Sequence, residues 1–199
     1  MSTWNEGYIT DIGYTYGYYP ELNPLRTRLA LLSAGWAAEP ALADGPACEL
    51  GMGQGVSVNV HAAASGNAWF ATDFNPSQVA FAQELARASG VDAQGTRIFD
   101  EAFADFCHRP DLPDFGFIGL HGIWSWVSDA NRALLVDFVR RKLRVGGVLY
   151  ISYNTLPGHA QMVPVRNLMK TYMDNMTHTG QDDVQRAQLA YRFVKTLLD

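Results

Sequence analysis

Thiols are scarce in this chain. Cys48 and Cys107 are the two cysteines among 199 residues. They sit at no metal-binding spacing and form no closely spaced set. A small disulfide-stapled secreted domain is thereby excluded, and a reducing, cytoplasmic setting is expected. The start, Met1-Ser-Thr-Trp-Asn-Glu6, has no basic cluster and no apolar stretch after it, so it does not read as a secretory signal. No apolar run reaches the roughly 20 residues needed to cross a bilayer, and no membrane span is expected. Positive charge is also in short supply. Lys and Arg number 15 against 20 Asp and Glu, and the net charge of -5 weighs against a broad nucleic-acid footprint. His61, His108, His159 and His178 share no ligand spacing, so no metal site is expected and all four read as solvated or structural. Internal repeats and low-complexity tracts are missing too.

What is present is an ordinary supply of core residues, 48% hydrophobic, enough for one domain or one domain with part of a second. The aromatics are placed unevenly. Tyr8, Tyr14, Tyr16, Tyr18 and Tyr19 crowd the first 22 residues together with Gly7, Gly13, Gly17 and Pro20. The glycines break any simple strand alternation, so residues 1–22 are read as an ordered aromatic arm lying on the domain. Asn23 is suited to cap a helix and Pro24 to open it. Leu25, Leu29 and Leu32 share one face of that helix, which closes near Gly35.

Strands and helices then alternate. Pro46 to Leu50 reads as a strand, Val56 to Ala64 as a helix, and Ala68 to Asp73 as a second strand. Ser77 to Ser89 is a helix opened by Asn75-Pro76 and closed by Gly90. Thr96 to Phe99 is a third strand, with a short helix, Glu101 to Phe106, after it. Phe115 to Leu120 is a fourth strand, Asn131 to Leu143 a helix, and Val148 to Tyr153 a fifth strand. This alternation predicts an α/β fold, a three-layer, doubly wound and mostly parallel sheet. From Gly158 the strand signal stops. Met162 to Met176 and Asp183 to Leu198 are helical in period, and residues 158–199 are expected to begin a longer helical region.

The first strand runs into Cys48-Glu-Leu-Gly51-Met-Gly53-Gln-Gly55. A dinucleotide fingerprint needs Gly-x-Gly-x-x-Gly, and here the third glycine comes one residue early. A phosphate-binding P-loop needs a lysine after its last glycine, and none is present. Glu49 is the deciding residue. A carboxylate at the strand end is a poor neighbour for a pyrophosphate and a good one for an ammonium. Asp73 ends the next strand about 20 residues on, where an acid can hold both hydroxyls of a ribose. Ribose plus ammonium without pyrophosphate points to S-adenosylmethionine.

At this point the chain resembles a family. Glu49-Leu-Gly51-Met-Gly53-Gln-Gly55 is similar to the first motif of class I S-adenosylmethionine-dependent methyltransferases. Asp73-Phe-Asn75 resembles their second-strand acidic position, Phe99-Asp100 their third-strand motif, and Phe117 through His121 to Trp126 their fourth-strand stretch. Leu143-Arg-Val-Gly146-Gly147 resembles the turn before the fifth strand, with Val145 where proline is usual. Five motifs in order, from Ala47 to Asn154, carry the likeness. The arm followed by Asn23-Pro24 is further similar to members carrying a methyltransferase regulatory domain, in which a helical region follows the core.

The resemblance implies a Rossmann-like sheet of order 3-2-1-4-5, with residues 23–157 as the methyltransferase domain. It implies S-adenosylmethionine as cofactor, S-adenosylhomocysteine as product, and an O, N or C nucleophile on a small molecule or protein as acceptor. By the same resemblance Gly51, Gly53 and Gly55 let the backbone approach the cofactor, Glu49 holds its ammonium, and Asp73 its ribose. Phe74 flanks the adenine, unless it is a core residue. Asp100 accepts from the adenine amino group, with Glu101 as competitor for that role. His121 lines the cofactor or acts as general base. Tyr14 and Tyr18 close over the site as a lid, or else simply pack. Trp124 and Trp126 read first as core, with one a possible pocket wall. Two other functions stay open: a non-catalytic module that binds S-adenosylmethionine, and a nicotinamide-dependent oxidoreductase, which Glu49 and the early third glycine oppose.

Overall fold

Five parallel strands lie side by side in the order β3-β2-β1-β4-β5 in a computed structural model of the chain. The structure describes residues 14–37, 45–176, 180 and 182–199. The part of the arm before Tyr14, and His178, lie outside the described residues. Two compact units divide the chain: Tyr14–Tyr153 forms one, and the described residues from Asn154 onward belong to the other.

In the larger unit the strands are β1 (Ala47–Leu50), β2 (Trp69–Asp73), β3 (Arg97–Asp100), β4 (Phe115–Leu120) and β5 (Leu143–Ile151). The helices are α1 (Pro24–Ser33), α2 (Val56–Ser65), α3 (Pro76–Ser89), α4 (Phe103–Phe106) and α5 (Asp129–Lys142). Every residue of β1 and β4 is buried, as strands covered on both faces require. One core cluster gathers Val58, Ala62, Trp69, Val79 and Ala82 under α2 and α3. The other gathers Phe106, Phe115, Ile118, Leu135 and Phe138 under α4 and α5. Both cysteines lie in the second cluster, where burial raises their thiols, Cys107 to about 12 and Cys48 well above its ordinary value.

Local chemistry sets most boundaries. Asn23 and Asn75 each accept a backbone N–H two residues on, and Pro24 and Pro76 follow them at the first helical position. α5 opens two residues earlier than its periodicity predicts, because the Ser128 side chain accepts from Asn131 N–H. β5 also begins early, at Leu143 rather than Val148. Gly146-Gly147 reads in sequence as a break. In the sheet it is absorbed by a register shift opposite Phe115 and Phe117, and a Cβ on Gly147 would approach Gly116 O to 2.9 Å. Leu25, Leu29 and Leu32 share a face of α1 as expected, but each is more than half exposed.

Before α1 the end of the arm is anchored in the core. A short 3-10 turn, Pro20–Leu22, inserts Leu22 into the core with no exposure at all. Leu22 lies against Gly119 of β4, where a Cβ would meet it at 2.6 Å. The glycine thus makes room for the arm on the sheet. In the second unit α6 (Met162–Met176) and α7 (Asp183–Leu198) pack together. Tyr172 stacks on Phe193 at 4.5 Å, and the Arg186 guanidinium donates to Met173 O at 3.2 Å.

Candidate active site

Crossovers on opposite sides of β1 leave a crevice at the carboxyl ends of β1 and β4, the place where open α/β sheets take ligands. The glycine loop borders it. Gly51, Gly53 and Gly55 all take positive φ, at 73°, 57° and 66°. The N–H groups of Gly51 and Met52 donate to Thr72 O, which fastens the loop to β2. Each glycine also answers a close neighbour. A Cβ on Gly51 would run into the Ile123 side chain, one on Gly53 would meet the Tyr14 ring at 2.8 Å, and one on Gly55 would meet Ala82 Cβ at 2.5 Å. The third glycine therefore lets α2 and α3 pack, while the second lies under an arm tyrosine.

Two carboxylates stand beside this loop. Asp73 Oδ2 accepts from Gly53 N–H at 2.9 Å and Oδ1 from Asn75 N–H at 3.0 Å. Burial raises its pKa, and these hydrogen bonds pull in the opposite direction. Because Asn75 caps α3 with its own side chain, Asp73 is not spent on that cap. Glu49 is 3% exposed, and its Oε2 has no hydrogen-bond partner. Desolvation, then the neighbouring Asp73, push its pKa up to about 8. Neither group is in an ion pair among the described residues.

At the next strand end Asp100 is exposed and lies in register with Asp73. Glu101 is engaged differently. Its Oε1 accepts from Arg109 at 2.6 Å, and the Arg109 guanidinium sits 4.5 Å over the Phe99 ring. Phe74 is half-buried directly after Asp73. Trp124 packs against the second core cluster, whereas Trp126 is 63% exposed.

The arm runs along the rest of the site, touching the glycine loop, α2 and His121. Tyr14 reaches the glycine loop, where Gln54 Nε2 donates to its carbonyl at 3.4 Å. Burial raises the Tyr14 phenol, with Tyr19 and Asp73 adding to the shift. Tyr18 rests instead on His61, 5.3 Å away. Tyr19 is gripped from both sides by α2: its N–H donates to Ser57 Oγ at 2.8 Å, and its carbonyl lies 3.1 Å from His61 Nε2. A carbonyl only accepts, so His61 carries its proton on Nε2. His61 is buried against Trp69, and burial lowers its pKa. It is a structural histidine.

His121 follows β4, and its ring stacks on Tyr19 at 4.0 Å and 26°. Its Nδ1 lies 3.2 Å from Ser152 Oγ and 3.6 Å from Glu21 Oε1. Burial lowers the His121 pKa while Glu21 raises it. Tyr19, Glu21 and Ser152 gather around His121, and motif reading does not reach Glu21 or Ser152. The tyrosine density of the arm marked the segment, but nothing in it marked Glu21.

No family model matches the chain. An uncharacterised protein of Synechocystis sp. is 41% identical over 198 residues, covering 99% of this chain and 38% of that protein. An uncharacterised protein of Rickettsia prowazekii is 29% identical over 165 residues, 80% of this chain and 28% of that protein. The chain thus spans less than half the length of these curated relatives. Among solved structures, PKMT2 from Rickettsia typhi in complex with AdoHcy matches with a TM-score of 0.72 at 20% identity, over 94% of this chain and 35% of that one. A SAM-dependent methyltransferase from Thiobacillus denitrificans, in complex with S-adenosyl-L-homocysteine, matches with a TM-score of 0.50 at 20% identity, over 75% and 56%. The likeness is one of fold. The fold is the Rossmann-like methyltransferase fold, with the sheet order that the resemblance implies.

Proposed function

We propose that this chain binds S-adenosylmethionine and moves its methyl group to an O, N or C nucleophile on a small-molecule or protein acceptor. The observation that carries the proposal is the Glu49 carboxylate, buried with one oxygen unpartnered, beside the buried Asp73. Burial and the neighbouring Asp73 disfavour the charged form of Glu49, a bound cation restores it, and a pyrophosphate would oppose it further. An amino-acid ammonium beside a ribose meets this need. The solved structures with bound AdoHcy or S-adenosyl-L-homocysteine support the same ligand class.

When bound, this cofactor supplies an electrophilic methyl carbon on a sulfonium sulfur. The chain supplies position. Gly51, Gly53 and Gly55 offer bare backbone at the strand end. Glu49 holds the ammonium, and the lone pairs left on Asp73 hold the ribose hydroxyls. Asp100 takes the adenine amino group and Phe74 flanks its ring. Glu101, already paired with Arg109, is the weaker candidate for the adenine. The arm from Tyr14 to Tyr19 walls the crevice and excludes water. Rate enhancement then comes largely from holding two reactants in line. Residues 23–157 make up the catalytic domain, with residues 1–22 as its arm. Residues 158–199 belong to a helical region like the one that follows the core in the regulatory-domain-bearing subfamily. The two buried free thiols support a reducing, cytoplasmic setting.

Calorimetry with S-adenosylhomocysteine and with NAD tests the reading. Binding of the first in the micromolar range and none of the second is expected. NAD binding without S-adenosylhomocysteine binding overturns it.

A further inference from the structure

We propose that Glu21, delivered by the arm, is the positioning residue for His121. Its carboxylate keeps the imidazole proton on Nδ1 and leaves Nε2 to receive a proton from the methyl acceptor. The inference rests on the methyltransferase reading and narrows the acceptor to a nucleophile that arrives with an N–H or O–H proton.

Glu49, the glycine loop, Asp73 and Asp100 occupy the ends of β1, β2 and β3. The ends of β4 and β5 remain for the second reactant, on the other side of the switch point. The groups that face His121 there come from three elements. Tyr19 and Glu21 come from the arm and its 3-10 turn. Tyr150 and Ser152 come from β5 and the residue after it. Arg26 of α1 acts on Tyr150.

The hydrogen bonds around Ser152 bear on the position of the His121 proton. The Ser152 hydroxyl has one proton to give and two lone pairs. One lone pair takes the Gly122 N–H at 2.8 Å, and a side-chain hydrogen bond joins Ser152 to Tyr150. If the hydroxyl proton goes to Tyr150, the second lone pair is left to accept from His121 Nδ1, 3.2 Å away. Glu21 decides between this arrangement and its reverse. At 3.6 Å its Oε1 is too far for a hydrogen bond but close for a Coulomb interaction. A bare Nδ1 lone pair would face that negative charge, whereas an Nδ1–H is attracted to it.

The acceptor X–H bond breaks, its proton forms a bond to Nε2, and the electron pair stays on X as the nucleophile. The resulting imidazolium lies against the face of Tyr19 and beside Glu21, both of which favour a cation.

The test is nitrogen-15 NMR of the imidazoles of the free protein, with His121 assigned through H121Q. Above its titration, wild-type His121 is expected as the Nδ1–H tautomer. E21Q is expected to shift it toward Nε2–H and to lower its titration midpoint by roughly half a pH unit, since both side chains are partly exposed. E21D is expected to restore the Nδ1–H form. A wild-type Nε2–H tautomer, or a tautomer and midpoint unmoved in E21Q, overturns the role of Glu21. Calorimetry with S-adenosylhomocysteine separates the two levels. Failure to bind removes the methyltransferase reading, whereas binding with an unmoved His121 removes only the dyad.

Discussion

Glu49 offers the sharpest test of the ligand class, through protons rather than catalysis. With a pKa of about 8 in the free protein, roughly nine in ten Glu49 side chains are protonated at pH 7. An ammonium bound against the carboxylate favours its charged form and brings the pKa down. Binding of S-adenosylhomocysteine at pH 7 should therefore release about 0.9 proton. If the bound-state value lies below about 5, the dissociation constant should fall by roughly 20- to 25-fold between pH 6 and pH 7.5. Titration calorimetry in buffers of different ionisation enthalpy reads the proton count directly, as the slope of observed heat against buffer enthalpy. Glu49→Gln keeps the shape of the side chain and removes the proton, so its slope should be near zero and its affinity nearly flat over the same range. A wild-type slope near zero, or one unchanged in Glu49→Gln, would refute the assignment of Glu49 to a cationic group of the ligand.

Further expectations follow from the same geometry. Glu49 also links folding to pH. Its folded pKa is raised above the unfolded value of 4.5, so its contribution favours the folded state at low pH and is lost as pH rises from 4.5 toward about 8. Urea melts of wild type and Glu49→Gln should diverge across that window. Gly55→Ala should cost about 2–4 kcal/mol, from its positive φ and from the 2.5 Å approach to Ala82. Gly66→Ala, at the other end of α2 with φ of 69° and open space around it, should cost only about 1–2 kcal/mol in the same melts. Equal losses would mean that the α2–α3 approach is not what the third glycine serves. Asp73→Ala should weaken S-adenosylhomocysteine binding by more than about tenfold, since charge-assisted hydrogen bonds contribute about 1.5–3 kcal/mol each. An unchanged titration would remove Asp73 from the site.

The parts of the fold legible in sequence are those fixed by neighbours along the chain. Asn23-Pro24 and Asn75-Pro76 mark helix starts because cap and first residue are adjacent. Glycines mark the loop because their positive φ is a local demand. The start of β5 is not legible in sequence, because the register shift that absorbs Gly146-Gly147 depends on β4, a distant partner. The site divides along the same line. Glu49, Asp73 and Asp100 stand out as candidates in sequence because each lies at or beside the end of a strand. His61 and Glu21 could not be assigned their partners, since those contacts join residues dozens of positions apart: Tyr19 to His61 spans 42. Only the folded chain shows that α2, which begins at the glycine loop, also grips the arm.

The two cysteines have a practical consequence. Each is buried, and each thiol is held so far toward its protonated form that almost no thiolate exists near neutral pH. The folded chain is therefore a silent background for maleimide labelling. A cysteine introduced at Tyr16, a residue 66% exposed on the arm, would be the one reactive position. A fluorophore placed there would report, molecule by molecule, whether the arm lifts when a ligand arrives.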